Sequence, residues 1–428
     1  MNSSRSLSQL IYLLFVFALA ISCSSDDGAS PNPNPNPNPG TGNPGGNPPP
    51  GGVDIGAIPC ENGMAGAYPC SGYDLVSRLD LAALGGNRGN DIWGWVDPDT
   101  GIEYAIVGLN TGTVFISLED PEDPLVLGTL PTATSNSTWR DIKVYSNHAY
   151  IVSEANGHGM QVFDLTQLRN PATVPATFSA TSIFRGFGNA HNIVINEETG
   201  FAYAVGTGPD APFNGGATFI DLSDPGNPSP AGGYGNSGYT HDAQVVTYNG
   251  PDSDYTGREI FIGSNEDRVV IVDVTDKDQP QFISQLTYPQ IGYTHQGWFT
   301  EDQRYFLLGD ETDELNFGVL SRTIIFDFTD LDSPVFDFEY SGPTTAIDHN
   351  GYVLGNSFYL ANYSAGLRVI DISDIGNGNI TETGFFDSYP QSQATSFVGV
   401  WSVYPYLPSG VILINDINNG FFVVRPSS

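Results

Sequence analysis

Apolar and polar positions alternate along this chain in short runs that recur. The clearest runs are Val269-Val270-Ile271-Val272-Asp273-Val274-Thr275-Asp276, Ala217-Thr218-Phe219-Ile220-Asp221-Leu222-Ser223-Asp224 and Leu367-Arg368-Val369-Ile370-Asp371-Ile372-Ser373-Asp374. Weaker copies are Thr113-Val114-Phe115-Ile116-Ser117-Leu118, Met160-Gln161-Val162-Phe163-Asp164-Leu165, Thr323-Ile324-Ile325-Phe326-Asp327-Phe328 and the partial Gly420-Phe421-Phe422-Val423-Val424. Most close on an acidic residue and a polar turn containing Pro. The period is roughly 50 residues, which in an all-strand chain predicts the blades of a propeller.

A second position recurs in step with the first. Strands are predicted to begin at Trp93-Gly94-Trp95-Val96, Arg140-Asp141-Ile142-Lys143-Val144, His191-Asn192-Ile193-Val194-Ile195 and His241-Asp242-Ala243-Gln244-Val245. The series continues at His295-Gln296-Gly297-Trp298-Phe299, His349-Asn350-Gly351-Tyr352-Val353 and Trp401-Ser402-Val403-Tyr404. A second apolar strand follows each, then the motif strand, then a last strand after the Pro. Four strands per unit and seven units give an all-β, seven-bladed propeller.

Unit seven ends at Phe421-Phe422-Val423-Val424-Arg425 without a fourth strand, and a spare strand, Tyr73 to Leu81, precedes unit one. Pairing the two closes the ring and removes an exposed edge. The alternative, an open solenoid, needs capping repeats.

The first residues read as a targeting segment. Leu10 to Ile21 is an apolar run too short for a comfortable membrane span and fits a signal-peptide core. It ends at Ala20-Ile21-Ser22-Cys23, which resembles a bacterial lipoprotein processing site with Cys23 as the lipidated residue. Residues 1–22 are then a signal peptide, and 23–52 are the lipidated Cys and a Pro/Asn/Gly-rich linker. Residues 53–84 form a disulfide loop and closing strand, and 85–428 the propeller. Ser24-Ser25-Asp26-Asp27 looks like a surface-export signal, which places the protein at the outer membrane, facing outward. The linker run Pro31 to Pro39 favours extended polyproline II, and residues 24–52 together could reach roughly 90 Å at about 3.1 Å per residue. Cys60 and Cys70 are left, and a secreted context makes their disulfide the default.

Charge narrows the partners. With 48 acidic against 14 basic residues the net charge is −34. Such a surface repels phosphate backbones and anionic membranes, so nucleic acid is excluded and membrane contact is expected only through the lipid. The chain is read as a monomer.

Candidate chemistry concentrates at the strand starts. Four of the six histidines, His191, His241, His295 and His349, share one repeat phase. Asp141, Asn192, Asp242, Gln296 and Asn350 follow at the next position, and Trp93, Arg140 and Trp401 complete the ring. If this strand is innermost, the imidazoles line the channel. Two readings stay open. As structural groups they hydrogen-bond neighbouring blades, with Asp or Asn satisfying turn amides. As ligands, neutral imidazoles suit a divalent metal. Asp310-Glu311-Thr312-Asp313-Glu314 and Glu266-Asp267 are weaker, carboxylate-based Ca²⁺ candidates without EF-hand spacing. Gly157-His158-Gly159 with Glu154 can shape a channel mouth. No serine-hydrolase elbow, phosphate loop or His-Glu-x-x-His motif is present.

The motif strands resemble the LVIVD repeat, of which Val269 to Asp273 is nearly a literal copy. Together with Asn62-Gly63-Met64-Ala65-Gly66, Trp139 to Val144, Gly157 to Leu165, Tyr293 to Gly297 and Leu308 to Glu311, they make residues 56 to 426 similar to the choice-of-anchor B family of bacterial surface proteins. The resemblance implies a shared body with a variable anchor, here a lipid, and carries no catalytic residues. The leading expectation is a binding module for an extracellular protein, glycan or small ligand. A metal-dependent enzyme using the four-histidine channel and a structural envelope protein are the alternatives.

Overall fold

The computed structural model describes residues 57–208 and 211–428. The expected signal segment, lipidated Cys23 and linker lie outside the described residues. Seven antiparallel sheets, each with four blade strands, follow one another along the chain. In blade four the strands are Asp242–Thr247, Glu259–Ser264, Val269–Asp273 and Gln281–Leu286, paired in that order. The first strands of all seven blades touch one another around a full circle, so they form the wall of a central channel.

The motif strand is apolar on both faces because both are covered. Val269 and Ile271 pack with Ile324 and Phe326 of blade five, whereas Val270 and Val272 pack with Tyr203 and Phe219 of blade three. All four are essentially inaccessible. A period of two thus feeds two inter-blade layers at once. The acidic residue that closes the motif caps the turn. Asp273 Oδ1 accepts the Thr275 N–H at 2.9 Å, and Asp221, Asp327 and Asp371 do the same for Ser223, Thr329 and Ser373. A register shift interrupts this strand's pairing with the last strand in blades three, four, five and six, at Phe219/Ile220, Ile271/Val272, Ile325/Phe326 and Val369/Ile370. Such bulges add twist to the outer strand.

Closure follows the expected route. Tyr73–Leu79 runs antiparallel to Gly420–Pro426, with Tyr73 opposite Pro426 and Leu79 opposite Phe421. Leu75 inserts into the layer shared with blade six, while Val76 and Leu79 enter the layer shared with blade one. The N-terminal strand therefore seals the ring on both sides.

Cys60 and Cys70 are bonded. The hairpin they brace, Met64–Ala65 and Tyr68–Ser71, adds to the outer edge of blade six through Cys70 opposite Phe386. Blade one is covered similarly by a parallel pair, Ala176–Thr177 on Leu125–Pro131. Both devices shield edges that could template aggregation. Among the described residues helix is confined to short turns and the five-residue segment Asp313–Phe317. Among the described residues no helix is long and apolar enough to cross a membrane.

Candidate functional site

Register defines the site. Ile142, Ile193, Ala243, Gly297, Gly351 and Val403 of the inner strands pair with Ile151, Ala204, Gly263, Leu308, Leu360 and Ile414. The residue two places earlier is Arg140, His191, His241, His295, His349 or Trp401. In blade one Ile92 pairs with Val107, so the equivalent residue is Asn90, not Trp93. A bulge between Gly89 and Ile92 and the Trp93-Gly94-Trp95 alternation shift the apparent start of that strand. Trp93 lies further along it, packed on Tyr352 and Tyr404, with the Lys143 ammonium 4.4 Å from its ring centroid.

The four histidines form an arc at the strand entrances. Successive ring centroids are 4.3 Å apart from His191 to His241, 4.6 Å from His241 to His295 and 4.4 Å from His295 to His349. Trp401 continues the arc at 4.8 Å from His349. All four imidazoles are buried or nearly so. Gly206, with φ of 64°, lets the backbone pass His191, because a Cβ there would collide with the histidine's own Cβ.

Three of the rings are held from outside the arc. His191 Nδ1 lies 2.6 Å from Glu154 Oε1, His349 Nδ1 lies 2.6 Å from the Trp401 carbonyl, and His241 Nδ1 lies 3.0 Å from the Tyr293 hydroxyl. A carbonyl only accepts, so His349 Nδ1 carries the proton and its Nε2 presents a lone pair. That Nε2 is 3.6 Å from Glu311 Oε1, and His295 Nε2 is 3.8 Å from Glu311 Oε2. The Tyr363 hydroxyl donates to Glu311 Oε1 at 2.8 Å. His241 Nε2 and His295 Nδ1 are buried without a hydrogen-bond partner among the described residues.

Electrostatics sets the protonation. Burial, reinforced by the neighbouring imidazoles, holds His241 and His295 well below the usual histidine range, and burial brings His349 down to about 3. Burial also opposes the charge on His191, but the Glu154 carboxylate outweighs it and raises that pKa. Burial raises Glu311. At neutral pH His241, His295 and His349 therefore offer uncharged imidazole nitrogens, the form that binds metals. One donor atom from each of His191, His241 and His295 lies within 4.8 Å of the others, and the same holds for His295, Glu311 and His349. The four histidines and Glu311 thus form two overlapping triads that share His295, rather than one square of histidines.

The neighbouring predicted positions mostly join blades. Asp141 Oδ2 accepts the Ile193 N–H at 2.8 Å, and Gln296 both accepts from the Gly351 N–H at 3.0 Å and donates to the Gly351 carbonyl at 3.1 Å. Asn192 Nδ2 reaches the His241 carbonyl at 3.5 Å. Asp242 caps its own strand through the Ala243 N–H at 2.6 Å, and burial raises it to about 6. Asn350 is buried, and its carbonyl accepts the Ala361 N–H. Arg140 points away from the arc. It donates to the Leu109 carbonyl at 3.1 Å and approaches His158 Nε2 at 3.3 Å, and burial lowers it to about 10. One layer further on, Lys143 is 2.8 Å from Asp141 and 3.7 Å from Asp91. Of the weaker candidates, Asp267 pairs with Arg268 at 2.6 Å on the surface, and Asp310 is consumed by Tyr288 and three backbone amides.

Glu154, Glu311 and Tyr363 enter the site by one rule. Each lies three residues beyond the partner of the inner-strand position, after Ile151, Leu308 and Leu360. That second phase was available in the sequence alongside the histidine phase.

The family model of the LVIVD repeat matches residues 352–382, which span most of blade six. No curated protein matches the chain. Among solved structures, hydrazine synthase of Kuenenia stuttgartiensis superposes with a TM-score of 0.52 at 12% identity, over 75% of this chain and 92% of that one. A putative 6-phosphogluconolactonase from Bacteroides uniformis gives 0.53 at 14% identity, over 78% and 96%. At these identities the likeness is one of fold. The chain is a seven-bladed β-propeller that carries an LVIVD repeat in its sixth blade.

Proposed function

We propose that this protein is a surface binding module whose recognition centre is a divalent transition-metal ion held by His191, His241 and His295. The observation that carries the reading is the set of three buried rings in one triad, two of them fixed through Nδ1 by partners outside the arc and two held uncharged by burial. A carboxylate, hydroxyl or carbonyl on the far side of a ligand histidine is the usual support of a metal site. A buried ring nitrogen with no partner, such as His241 Nε2, costs about 1–3 kcal/mol unless something occupies it. Bonds of about 2.0–2.1 Å require small ring rotations to draw the nitrogens together.

The same face supports a binding role. Trp139, Phe213, Leu315, Phe317, Leu320 and Phe397 are exposed and sit in the loops and short helical turns at the end of the blades where the histidines enter. An apolar rim around a polar centre fits a ligand with an apolar body and one coordinating group. The protein, glycan or small ligand would be extracellular. The signal segment, Cys23 and the disulfide support a lipid-anchored, outward-facing location. Metal analysis of untagged protein tests the centre: about one Zn, Ni, Cu or Co per chain is expected, and metal-free protein that also fails to take up these ions would remove it.

A metal-dependent enzyme is the second reading, and Glu311 favours it. Its carboxylate stands between His295 and His349, and burial raises its pKa, as suits a general base beside a metal-bound water. Hydrolysis of an ester or lactone that depends on both added metal and Glu311 would establish it.

A further inference from the structure

Beside the histidine arc lies a second cluster of different chemistry. Asp313 and Glu314 open the helical turn of blade five, and Asp348 precedes His349 at the entry to blade six. Asp313 and Asp348 are 0% exposed and Glu314 is 3% exposed. One oxygen from each lies within 4.8 Å of the other two. Arg322 answers one of the three charges, with Nε and Nη2 each 2.7 Å from Asp313 Oδ2. The Asp348 N–H reaches Glu314 Oε1 at 3.4 Å. Four oxygens remain buried with no hydrogen-bond partner among the described residues: Asp313 Oδ1, Glu314 Oε2 and both of Asp348.

We propose that Asp313, Glu314 and Asp348 form an oxygen-only site that holds one calcium ion and fastens the blade-five loop to the entry of blade six. Three buried carboxylates face one guanidinium, which also serves Glu339 at 2.9 Å, so negative charge is left in excess in a water-poor interior and a divalent cation relieves it. Donor chemistry selects the ion. Calcium takes six to eight oxygens and accepts bidentate carboxylates, which Asp348 offers with both oxygens free. Magnesium sheds water reluctantly, and softer metals prefer the nitrogens of the arc. Gly309 keeps the place open, since a Cβ there would lie 3.0 Å from Asp348 Oδ2. The loop so fastened carries Glu311 and the exposed Leu315, Phe317 and Leu320. Calcium would therefore set the shape of the rim without touching a ligand. The competing occupant is the proton, since carboxyl groups that share protons would also relieve the repulsion.

The test is calorimetric titration of chelator-treated full chain with CaCl2, together with melting temperature. Wild type is expected to bind calcium at this site and to gain about 3–4 °C at calcium 100-fold above Kd. Asp348→Asn, which keeps the shape and removes a charge, should fold without calcium and melt no lower than calcium-free wild type. It should lose the calcium-dependent gain. Asp330→Asn, in the exposed group Asp252, Asp330 and Asp332, should retain it. No calcium response in wild type, or an undiminished one in Asp348→Asn, would overturn the proposal and leave protons as the occupant. Zinc uptake by Asp348→Asn, read separately, reports on the histidine site alone.

Discussion

His191 Nδ1 and Glu154 Oε1 lie 2.6 Å apart, and this contact makes His191 unlike the other three members of the arc. His241, His295 and His349 are held neutral by burial, while Glu154 draws a proton toward His191. The contact joins blade two to blade three and also orients a ring whose other nitrogen faces the arc. Glu311 sits at the same repeat phase in blade five and faces His295 and His349.

Glu154→Gln should change the pH dependence of stability in a defined direction. A histidine whose folded pKa is raised adds stability that is full below the unfolded value of 6.5 and fades as pH rises through the folded value. The difference between wild type and variant, measured by urea unfolding with chelator present, should therefore be largest below about pH 6.5 and shrink above it. NMR titration should show the His191 pKa falling in the variant. A difference that grows with pH would contradict the assignment.

Gln296→Ala should cost about 1–3 kcal/mol, because the Gly351 N–H and carbonyl are both left buried and unpaired. Urea unfolding at constant m-value measures the loss. An unchanged midpoint would mean that the strand entrances are not joined by this side chain.

Leu75→Ala should cost about 2–5 kcal/mol, because Leu75 fills the layer between the closing strand and blade six. Deleting residues 53 to 84 should go further and expose an edge, with aggregation read by light scattering. A deletion variant that stays monomeric with wild-type melting would refute closure by this strand.

On the proposed lipid anchoring through Cys23, Cys23→Ala should release the protein from membranes. Fractionation after a salt wash measures this, and continued membrane association of the variant would remove the lipoprotein reading.

The parts of the molecule differ in how openly the sequence displayed them. Val269 to Val272 is apolar on both faces because two blades cover it, so the repeat and the fold were legible together. The missing strand of blade seven and the spare strand before blade one announced the closure. The histidine phase was legible in blades three to six because four rare residues share it. Blade one was not, because Asn90 is chemically bland and a bulge separates it from the prominent Trp93 and Trp95. Glu154 and Glu311 share a phase as well, but acidic residues are so common in this chain that two in step attract no notice. The distance between Glu314 and Asp348 along the chain hid their meeting, which is created by the contact of adjacent blades and by no local spacing.

The central claim is that the arc binds metal as a unit. Calorimetric titration of chelator-treated protein with ZnCl2 tests it most directly, in wild type, His241→Ala, His295→Ala and the double variant, with melting followed in parallel. The account predicts tight binding by wild type, a loss of about 10-fold or more in affinity in each single variant, and little further loss in the double variant, because the ligands act together. No zinc binding by well-folded wild type, or equal additive losses of stability that chelator leaves unchanged, would contradict it and make the histidines groups that pack the blades together.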